Sequence, residues 1–172
     1  MKILVFSDSH GYCEKMTDII KEFTSKAGTL DYIIHLGDLV RDAKYLRERF
    51  PTIPVLYVCG NSDFSFDRND CEKELEIGDK RFFILHGHTR NVTNSLDSLK
   101  AIAERKKYDM ILYGHNHAPK ENYHDGTYII SPGSISRDRS GIGDSYCAID
   151  ITGKDMCANI INLRAGEHRP YK

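Results

Sequence analysis

The N-terminal third of the chain alternates between short apolar runs and amphipathic segments, and this alternation constrains the fold more than any other feature. Three β-prone runs predict strands, and the two stretches between them carry apolar residues at helical spacing: strands over 2–7, 32–35 and 55–58, helices over about 14–26 and 41–50. Strand, helix, strand, helix, strand is typical of a parallel sheet. Because ligands collect outside the carboxyl ends of such strands, we expect the residues after these strands to share one edge.

The remaining two thirds of the chain predict mostly β-hairpins. Strand pairs flank three turn sequences that contain glycine: 72–78 with 81–85, 120–124 with 127–131, and 145–151 with 156–162. A helix over about 95–107 and a strand over 109–113 follow the first hairpin, while 64–71 has no periodicity and predicts a loop. We therefore expect an α/β fold of two packed mixed β-sheets flanked by helices, a four-layer sandwich. It forms one domain over 1–172, with 164–172 as a loose tail.

Length and composition fit a compact globular domain. With 172 residues, of which 40% are hydrophobic, the chain can bury a sizeable core. The net charge of −1 gives no basic field that would draw the protein onto a nucleic-acid polymer, so we expect no such partner. No apolar run approaches the roughly 20 residues that cross a bilayer, and we expect no membrane association.

The cysteines predict the redox compartment. Five cysteines are an odd number, and they lack the CxxC spacing of redox and zinc motifs. This pattern predicts reduced, largely buried thiols rather than a disulfide framework. The N-terminus enters a strand at once, without the basic region and cleavage site of a signal peptide. We therefore expect a soluble, cytoplasmic protein.

Five polar stretches place metal-binding side chains at or near strand ends. His115 and His117 are two residues apart directly after the apolar run 110–113, so both imidazoles can enter one pocket. Two histidines at this spacing are more often surface or core residues than ligands. Four earlier stretches carry the same chemistry, however: Asp8 with His10, His35 with Asp38, Asn61 with Asp63, and His86 with His88. Together the five predict a two-metal hydrolytic centre.

Such a centre needs a bridging group. A metal pair about 3.5–4 Å apart requires a carboxylate between the ions, because one neutral imidazole cannot neutralise two dications. Asp38, held at a strand end by the preceding Gly37, is the candidate bridge. The candidate ligands are oxygen and nitrogen donors without a thiolate, which argues against a cysteine-based structural zinc site. They fit Mn²⁺, Fe²⁺, Ni²⁺ or catalytic Zn²⁺.

Taken in order, the motifs Asp-x-His, Gly-Asp, Gly-Asn-x-Asp, His and Gly-His-x-His resemble those of the calcineurin-like metallophosphoesterases, in particular their small bacterial and archaeal phosphodiesterase branch. The resemblance implies two divalent ions, with Mn²⁺ favoured, and hydrolysis of a small phosphodiester by a hydroxide that bridges them. It also implies the ligands: Asp8, His10, Asp38 and His117 for the first ion, and Asp38, Asn61, His86 and His115 for the second. Asn61 is equally good turn sequence, so its ligand role depends mainly on the resemblance.

Residues beside these motifs are candidates for catalysis or substrate contact. Ser62 stands where most family members carry the histidine of Gly-Asn-His, and Asp63 is expected to orient its neighbours by hydrogen bonding. His88 shares a face with His86 and is expected next to the ligands or facing the substrate. Other candidates are equally well explained as turn, wall or buried residues: phosphate contacts by Ser134 or Arg137, base stacking by Tyr12, Phe64 or Phe66, and a site role for His35.

Two other functions stay open. Some proteins of this family serve as interaction platforms, but a platform has no physical need for an Asp and His cluster whose charges cost energy without metal. A phosphomonoesterase is the second alternative. Among diesters, the sequence does not separate cyclic nucleotides, dinucleotides and phospholipid headgroups. The edges of the predicted hairpins also favour a homo-oligomer that covers them.

Overall fold

The computed structural model describes residues 1–64 and 68–163. Within them the chain forms these strands and α-helices, in order: β1 (Lys2–Phe6), α1 (Cys13–Ala27), β2 (Tyr32–His35), α2 (Val40–Arg49), β3 (Val55–Tyr57), β4 (Glu72–Ile77), β5 (Lys80–Leu85), α3 (Asp97–Lys106), β6 (Met110–Tyr113), β7 (Pro119–His124), β8 (Thr127–Pro132), β9 (Asp144–Thr152) and β10 (Asp155–Leu163). Each strand and helix predicted in the N-terminal third is present within one residue of its predicted bounds, which confirms that pattern.

The strands form two mixed sheets of five strands each, as predicted. The first sheet has the order β10-β9-β1-β2-β3, with β1, β2 and β3 parallel and the β9-β10 hairpin joined to β1 in antiparallel fashion. The second has the order β4-β5-β6-β8-β7, with β5, β6 and β8 parallel and the two edge strands antiparallel. The N-terminal parallel strands therefore belong to one sheet, and the middle of the chain builds the other.

Side chains along each strand point alternately to the two faces of its sheet, and this alternation produces the layers of the fold. In β1, Ile3 and Val5 face the second sheet, where they join a buried cluster that includes Ile84 of β5 and Leu112 of β6. The intervening Leu4 packs with α1 and α2 on the outer face of the first sheet. On the outer face of the second sheet, α3 covers a separate buried cluster. The result is a helix, sheet, sheet, helix sandwich in which both sheets are covered on both faces.

The carboxyl ends of the parallel strands meet where the two sheets adjoin. The amide of Ile135, shortly after β8, donates to the carbonyl oxygen of Ser7, directly after β1, at 3.2 Å. The amide of His115, after β6, donates to Oδ2 of Asp8 at 3.1 Å. These bonds hold the polar loops of one sheet against those of the other, so their side chains converge on one site.

The predicted state of the cysteines is wrong for one pair. Cys59, which follows β3, and Cys71, which precedes β4, form a disulfide across a sequence separation of 12. Of the remaining cysteines, Cys147 is buried, Cys13 is half-buried and Cys157 is exposed. The chain leaves the first sheet at Cys59 and enters the second at Cys71, which brings the two Cα atoms to 4.4 Å. The spacing of the cysteines in the sequence does not indicate that Cys59 and Cys71 approach each other.

The loop predicted over 64–71 contains a short 3₁₀ helix, Arg68–Cys71, which is too short to show periodicity in sequence. A second short 3₁₀ helix, His88–Arg90, follows β5. Phe66 and the predicted tail over 164–172 lie outside the described residues. None of the α-helices in the described part of the chain has the length and apolarity that a membrane span requires.

Candidate metal centre

The backbone at the site is unusual. Five of the seven predicted ligands, Asp8, His10, Asp38, His115 and His117, have positive φ angles between 45° and 70°. Side chains other than glycine rarely adopt this left-handed conformation, and such residues cluster at functional sites where the surrounding structure holds them in place. The loops are therefore shaped to aim side chains at a common point rather than to connect strands by the shortest turn.

Glycines allow the loops to approach each other closely. A Cβ atom on Gly60 would lie 2.6 Å from the backbone nitrogen of Asp38 and would also collide with the Asp38 carboxylate. A Cβ on Gly114 would collide with Oγ of Ser7 and lie 3.1 Å from Oδ2 of Asp8. The glycines that precede Asn61 and His115 are thus required by packing, which gives a physical reason for the Gly-Asn and Gly-His pairs.

Four predicted ligands form a compact cluster. One ligand atom each from Asp8, His10, Asp38 and His117 lies within 4.8 Å of the other three. Nε2 of His117 is 3.1 Å from Oδ1 of Asp8, and Nε2 of His10 is 3.9 Å from Oδ2 of Asp38. All four side chains are buried or nearly so. This set coincides with the first ion position that the family resemblance implied.

The two oxygens of Asp8 have different environments. Oδ2 accepts hydrogen bonds from Oγ of Ser7 at 2.5 Å and from the amide of His115 at 3.1 Å. Oδ1 faces Nε2 of His117, and when that nitrogen is unprotonated Oδ1 has no donor among the described residues. A buried carboxylate oxygen in this state is costly without a cation or proton nearby. Nε2 of His10 is likewise buried without a hydrogen-bond partner within the described chain.

Hydrogen bonds also orient the histidines. Nδ1 of His117 donates to the carbonyl oxygen of Arg137 at 2.9 Å, and Nδ1 of His86 donates to that of Leu36 at 2.7 Å. Each bond places the proton of the neutral ring on Nδ1 and leaves the lone pair of Nε2 directed into the site. Ligating histidines in metalloproteins are held in this way. The donor atoms and their orientation therefore fit a divalent cation.

Asp38 lies between the compact cluster and a second group of side chains. Its Oδ1 is 3.5 Å from Nε2 of His86, while its Oδ2 faces His10. Oδ1 of Asn61 is 3.0 Å from the same Nε2 of His86, and the ring centroids of His86 and His115 are 5.1 Å apart. With Nδ1 of His86 protonated, Nε2 and the two side-chain oxygens are all acceptors, which a shared cation would satisfy.

Electrostatics at the site follow from burial and from the close charges. Burial alone would raise the pKa of Asp8, but the hydrogen bond from His117 and the charges of His86 and His117 lower that pKa to about 2. Burial alone would lower the pKa of His117, but its hydrogen bond and charge interaction with Asp8 raise it. For His10 and His115, burial lowers the pKa. Asp8 is therefore an anion at neutral pH, as a metal ligand must be.

The three predicted neighbours of the ligands lie beside the second group. The amide of Ser62 donates to Oδ1 of Asp38 at 2.9 Å. Asp63 accepts hydrogen bonds from the amides of Val40 at 2.8 Å and Gly60 at 2.9 Å, so it ties this loop to the start of α2. The ring centroid of His88 lies 5.4 Å from that of His86. The catalytic roles of Ser62, Asp63 and His88 stay predictions that these positions support.

Some sequence-based candidates have other contacts. Ser134 is fully buried, and its Oγ donates to the carbonyl oxygen of Asp8 at 2.9 Å, so the suggestion that it contacts phosphate is wrong. Arg137 contributes the backbone oxygen that orients His117. Tyr12 and Phe64 are 54% and 95% exposed, respectively, and Phe66 lies outside the described residues.

Sequence reasoning missed several supporting residues. Oγ of Ser136 also donates to the carbonyl oxygen of Asp8, at 2.9 Å. Asp42 is 2% exposed and accepts hydrogen bonds from Oγ of Ser9 and from the amide of Gly11, both at 2.7 Å. A carboxylate in the first turn of a predicted helix is usually solvated, so only the buried geometry identifies Asp42.

The fold and this site define a class of protein. The sequence profile of the calcineurin-like phosphoesterase superfamily domain matches residues 1–154, and the chain belongs to this superfamily. Its relatives include a protein named probable metallophosphoesterase YsnB in Bacillus subtilis, which is 32% identical over 152 residues covering 88% of this chain and 85% of the relative. Phosphodiesterase MJ0936 of Methanocaldococcus jannaschii is 27% identical over 157 residues, covering 83% and 89% of the two chains.

Solved structures show the same fold. A predicted phosphoesterase from Streptococcus pneumoniae superposes with a TM-score of 0.76 at 25% identity, covering 96% of this chain and 93% of that one. Vps29 of Entamoeba histolytica, solved in complex with Zn²⁺, superposes with a TM-score of 0.75 at 19% identity, covering 97% and 95%. The likeness to Vps29 concerns the fold alone.

Proposed function

We propose that this chain is a phosphodiesterase that works with two divalent metal ions. The observation that carries the proposal is the position of Asp38, whose two carboxylate oxygens face His10 on one side and His86 on the other. A carboxylate between two groups of ligands is what a pair of ions about 3.5–4 Å apart requires. The phosphodiesterase name of the Methanocaldococcus relative supports the same reaction class.

The ligand assignment follows the two groups. Asp8, His10, Asp38 and His117 would hold the first ion, and Asp38, Asn61, His86 and His115 would hold the second. When bound, two such ions lower the pKa of water and offset charge on a phosphoryl group during displacement. Mn²⁺ is our first choice from the family, while Ni²⁺, Zn²⁺ and Fe²⁺ suit the same donors.

The side chains of this protein position the reacting groups. The Ser62 amide donates to Oδ1 of Asp38 and so helps to hold the carboxylate between the two facing histidines. His88 lies beside His86 and His115, at 5.4 and 6.1 Å between ring centroids. Ser62 provides no acid at neutral pH, so the site should favour esters whose leaving groups depart without a proton. This favours esters with acidic leaving groups, while the preference for diesters over monoesters follows from the resemblance to the small phosphodiesterase branch.

The alternative is an interaction platform, a protein of the same fold without catalytic activity. The buried Nε2 of His10 argues against a platform, because it has no hydrogen-bond partner within the described residues, and such an atom destabilises a protein that binds no cation. A platform of the same fold would not need five ligands in left-handed backbone.

The test is a hydrolysis assay with metal-loaded protein. Protein saturated with Mn²⁺ should hydrolyse bis(p-nitrophenyl) phosphate much faster than p-nitrophenyl phosphate, and Asp38→Asn should reduce the rate by at least about 100-fold. Asp97→Asn, at an exposed position in α3, is the matched control and should leave the rate unchanged. Absence of hydrolysis of both esters with each of the four candidate metals would refute the proposal.

A further inference from the structure

A chain of buried polar side chains lies behind the first ligand group. His35 and Ser9 are fully buried, and Asp42 is 2% exposed. None of the three was predicted as a ligand, and their side chains bond to one another rather than to solvent. Fully connected buried networks fix geometry, because each member loses a hydrogen bond if its neighbour moves.

Hydrogen bonds in this buried network are donated in one direction, from His35 through Ser9 to Asp42. Nδ1 of His35 accepts from the amide of Gly37 at 3.3 Å, so the proton of the neutral ring is on Nε2. Nε2 of His35 then donates to Oγ of Ser9 at 2.8 Å, and the Ser9 hydroxyl donates to Oδ2 of Asp42 at 2.7 Å. Burial lowers the pKa of His35 to about 4, which keeps the ring neutral. This series of hydrogen bonds therefore ends at the Asp42 carboxylate.

The same oxygen of Asp42 holds the backbone next to His10. Oδ2 also accepts from the amide of Gly11 at 2.7 Å. Its two partners, Ser9 and Gly11, are the residues directly before and after His10. His10 and Gly11 have φ angles of 45° and 93°. A left-handed His10 is unfavourable unless its surroundings determine it, and one carboxylate oxygen bonded on both sides of the residue does so.

Helix α2 makes Asp42 a rigid support. Asp42 lies in the first turn of α2, where exposed amide groups favour a negative side chain. Its own amide donates to the carbonyl oxygen of Leu39 at 3.0 Å. The amide of His10 donates to the carbonyl oxygen of Asp38 at 3.2 Å, so the loops after β1 and β2 are joined at a second point.

We propose that Asp42 is a positioning residue that holds His10 in place and thereby sets the affinity of the first ion position. The inference rests on the proposed two-ion site. The second position draws Asn61, His86 and His115 from three other loops, and the contacts of Asp42 described above do not include them. It shares Asp38 with the first position, and Oγ of Ser9 contacts only the carbonyl oxygen of that residue, at 3.3 Å. The Asp38 carboxylate is held instead by the amide of Ser62. Loss of Asp42 should therefore weaken one ion position and spare the other.

The test measures metal binding rather than turnover. Metal-free protein is titrated with Mn²⁺ by calorimetry and with Co²⁺ by absorption spectroscopy, whose bands respond to a lost imidazole ligand. In Asp42→Ala, one binding event should weaken by roughly 10-fold to 100-fold while the other is unchanged. Asp42→Asn retains an oxygen that can accept from Ser9 and Gly11, so it should restore most of the affinity. A purely electrostatic role for Asp42 would not be rescued by Asn.

Ser9→Ala provides a second variant in case Asp42→Ala does not fold. It removes one of the two bonds to Asp42, together with the contacts of Oγ with His35 and the Asp38 carbonyl oxygen, and leaves the bond from Gly11. It should weaken the same event by a smaller factor. Unchanged isotherms in Asp42→Ala or Ser9→Ala, beside a wild type that binds two ions, would overturn the inference and leave the proposed function intact. Equal weakening of both events would overturn it as well. A wild type that binds at most one ion would refute the two-ion site and this inference together.

Discussion

The carboxylate of Asp38 occupies the space that a side chain at Gly60 would need. A Cβ atom at Gly60 would lie 2.6 Å from the Asp38 nitrogen and 2.9 Å from its Cγ, and the Asp38 backbone cannot move without moving the start of α2. Gly60→Ala should therefore displace the candidate bridge. We expect activity to fall by about 100-fold, the effect of misplacing a reacting group by about 1 Å.

The control for this variant is Gly126→Ala. Gly126 has a φ of 86°, and apart from its chain neighbours no atom of the described residues lies within 4 Å of the position that a Cβ would take, so alanine there strains the backbone far from the site. It should reduce the free energy of unfolding by about 1 kcal/mol and leave metal stoichiometry unchanged. Rates and metal content that fall equally in both variants would indicate a general effect of removing glycine.

The serine at position 62, where most family members carry histidine, leads to a prediction of how the rate depends on the leaving group. General acid catalysis contributes about 10²–10⁴-fold, and a serine hydroxyl is too weak an acid to supply it near neutral pH. Aryl diesters should therefore react much faster than alkyl diesters, with a steep dependence of log rate on the leaving-group pKa. Ser62→His should flatten this dependence and increase monoesterase activity if Asp63 can orient the new ring.

His88 provides the control for the leaving-group prediction, since it is the nearby ring that could protonate a leaving group. His88→Ala should leave the steep slope of the wild type unchanged if no acid operates. A shallow slope in the wild type that His88→Ala does not alter would show that the argument from Ser62 is wrong.

The ion pair of Glu72 and Arg90 predicts an effect of pH on stability. The hydrogen bond from Arg90 lowers the pKa of Glu72 below its usual 4.5, against the opposing effect of burial. A lowered pKa in the folded state means that the pair stabilises the protein above pH 4.5 and loses this contribution as the pH falls through the folded-state pKa. Glu72→Gln should cost about 0.5–1 kcal/mol at pH 7, and this cost should shrink as the pH falls below 4.5.

Denaturant unfolding at several pH values measures this difference. Glu76→Gln, at an exposed position on the same strand, is the matched control and should differ little from the wild type throughout. A destabilisation of Glu72→Gln that stays constant through the acid transition of the wild type would mean that the carboxylate charge is not the cause.

The disulfide between Cys59 and Cys71 predicts sensitivity to reductant. It closes a loop that contains Asn61, Ser62 and Asp63. Loop closure of this length stabilises a folded chain by about 3 kcal/mol, because it restricts the unfolded state. Reduction should therefore shift the denaturant midpoint of the wild type downward. Cys71→Ser should show no further shift on reduction, while Cys157→Ser, which removes an exposed thiol, should respond as the wild type does.

The fold and the ligand positions were accessible from sequence for one physical reason. Apolar runs predict buried strands, and in a parallel sheet the polar residues directly after those strands, such as Asp8 and Asp38, must meet at one edge. The features that the sequence did not predict depend on contacts between loops. The left-handed backbone of His10, the support from Asp42 and the Cys59–Cys71 pairing involve residues whose neighbours in space are distant in sequence or lack a distinctive pattern.

Each proposed ion position draws ligands from both sheets, as the facing pair of Asp8 after β1 and His117 after β6 illustrates. An ion held there would join the two halves of the sandwich at their common edge, so neither sheet alone could provide a complete coordination shell. Binding and folding would then be thermodynamically linked. At a free metal concentration about 100 times the dissociation constant, each ion would add about 2.7 kcal/mol to the free energy of unfolding. Removal of the ions by a chelator would therefore lower the free energy of unfolding as well as the activity.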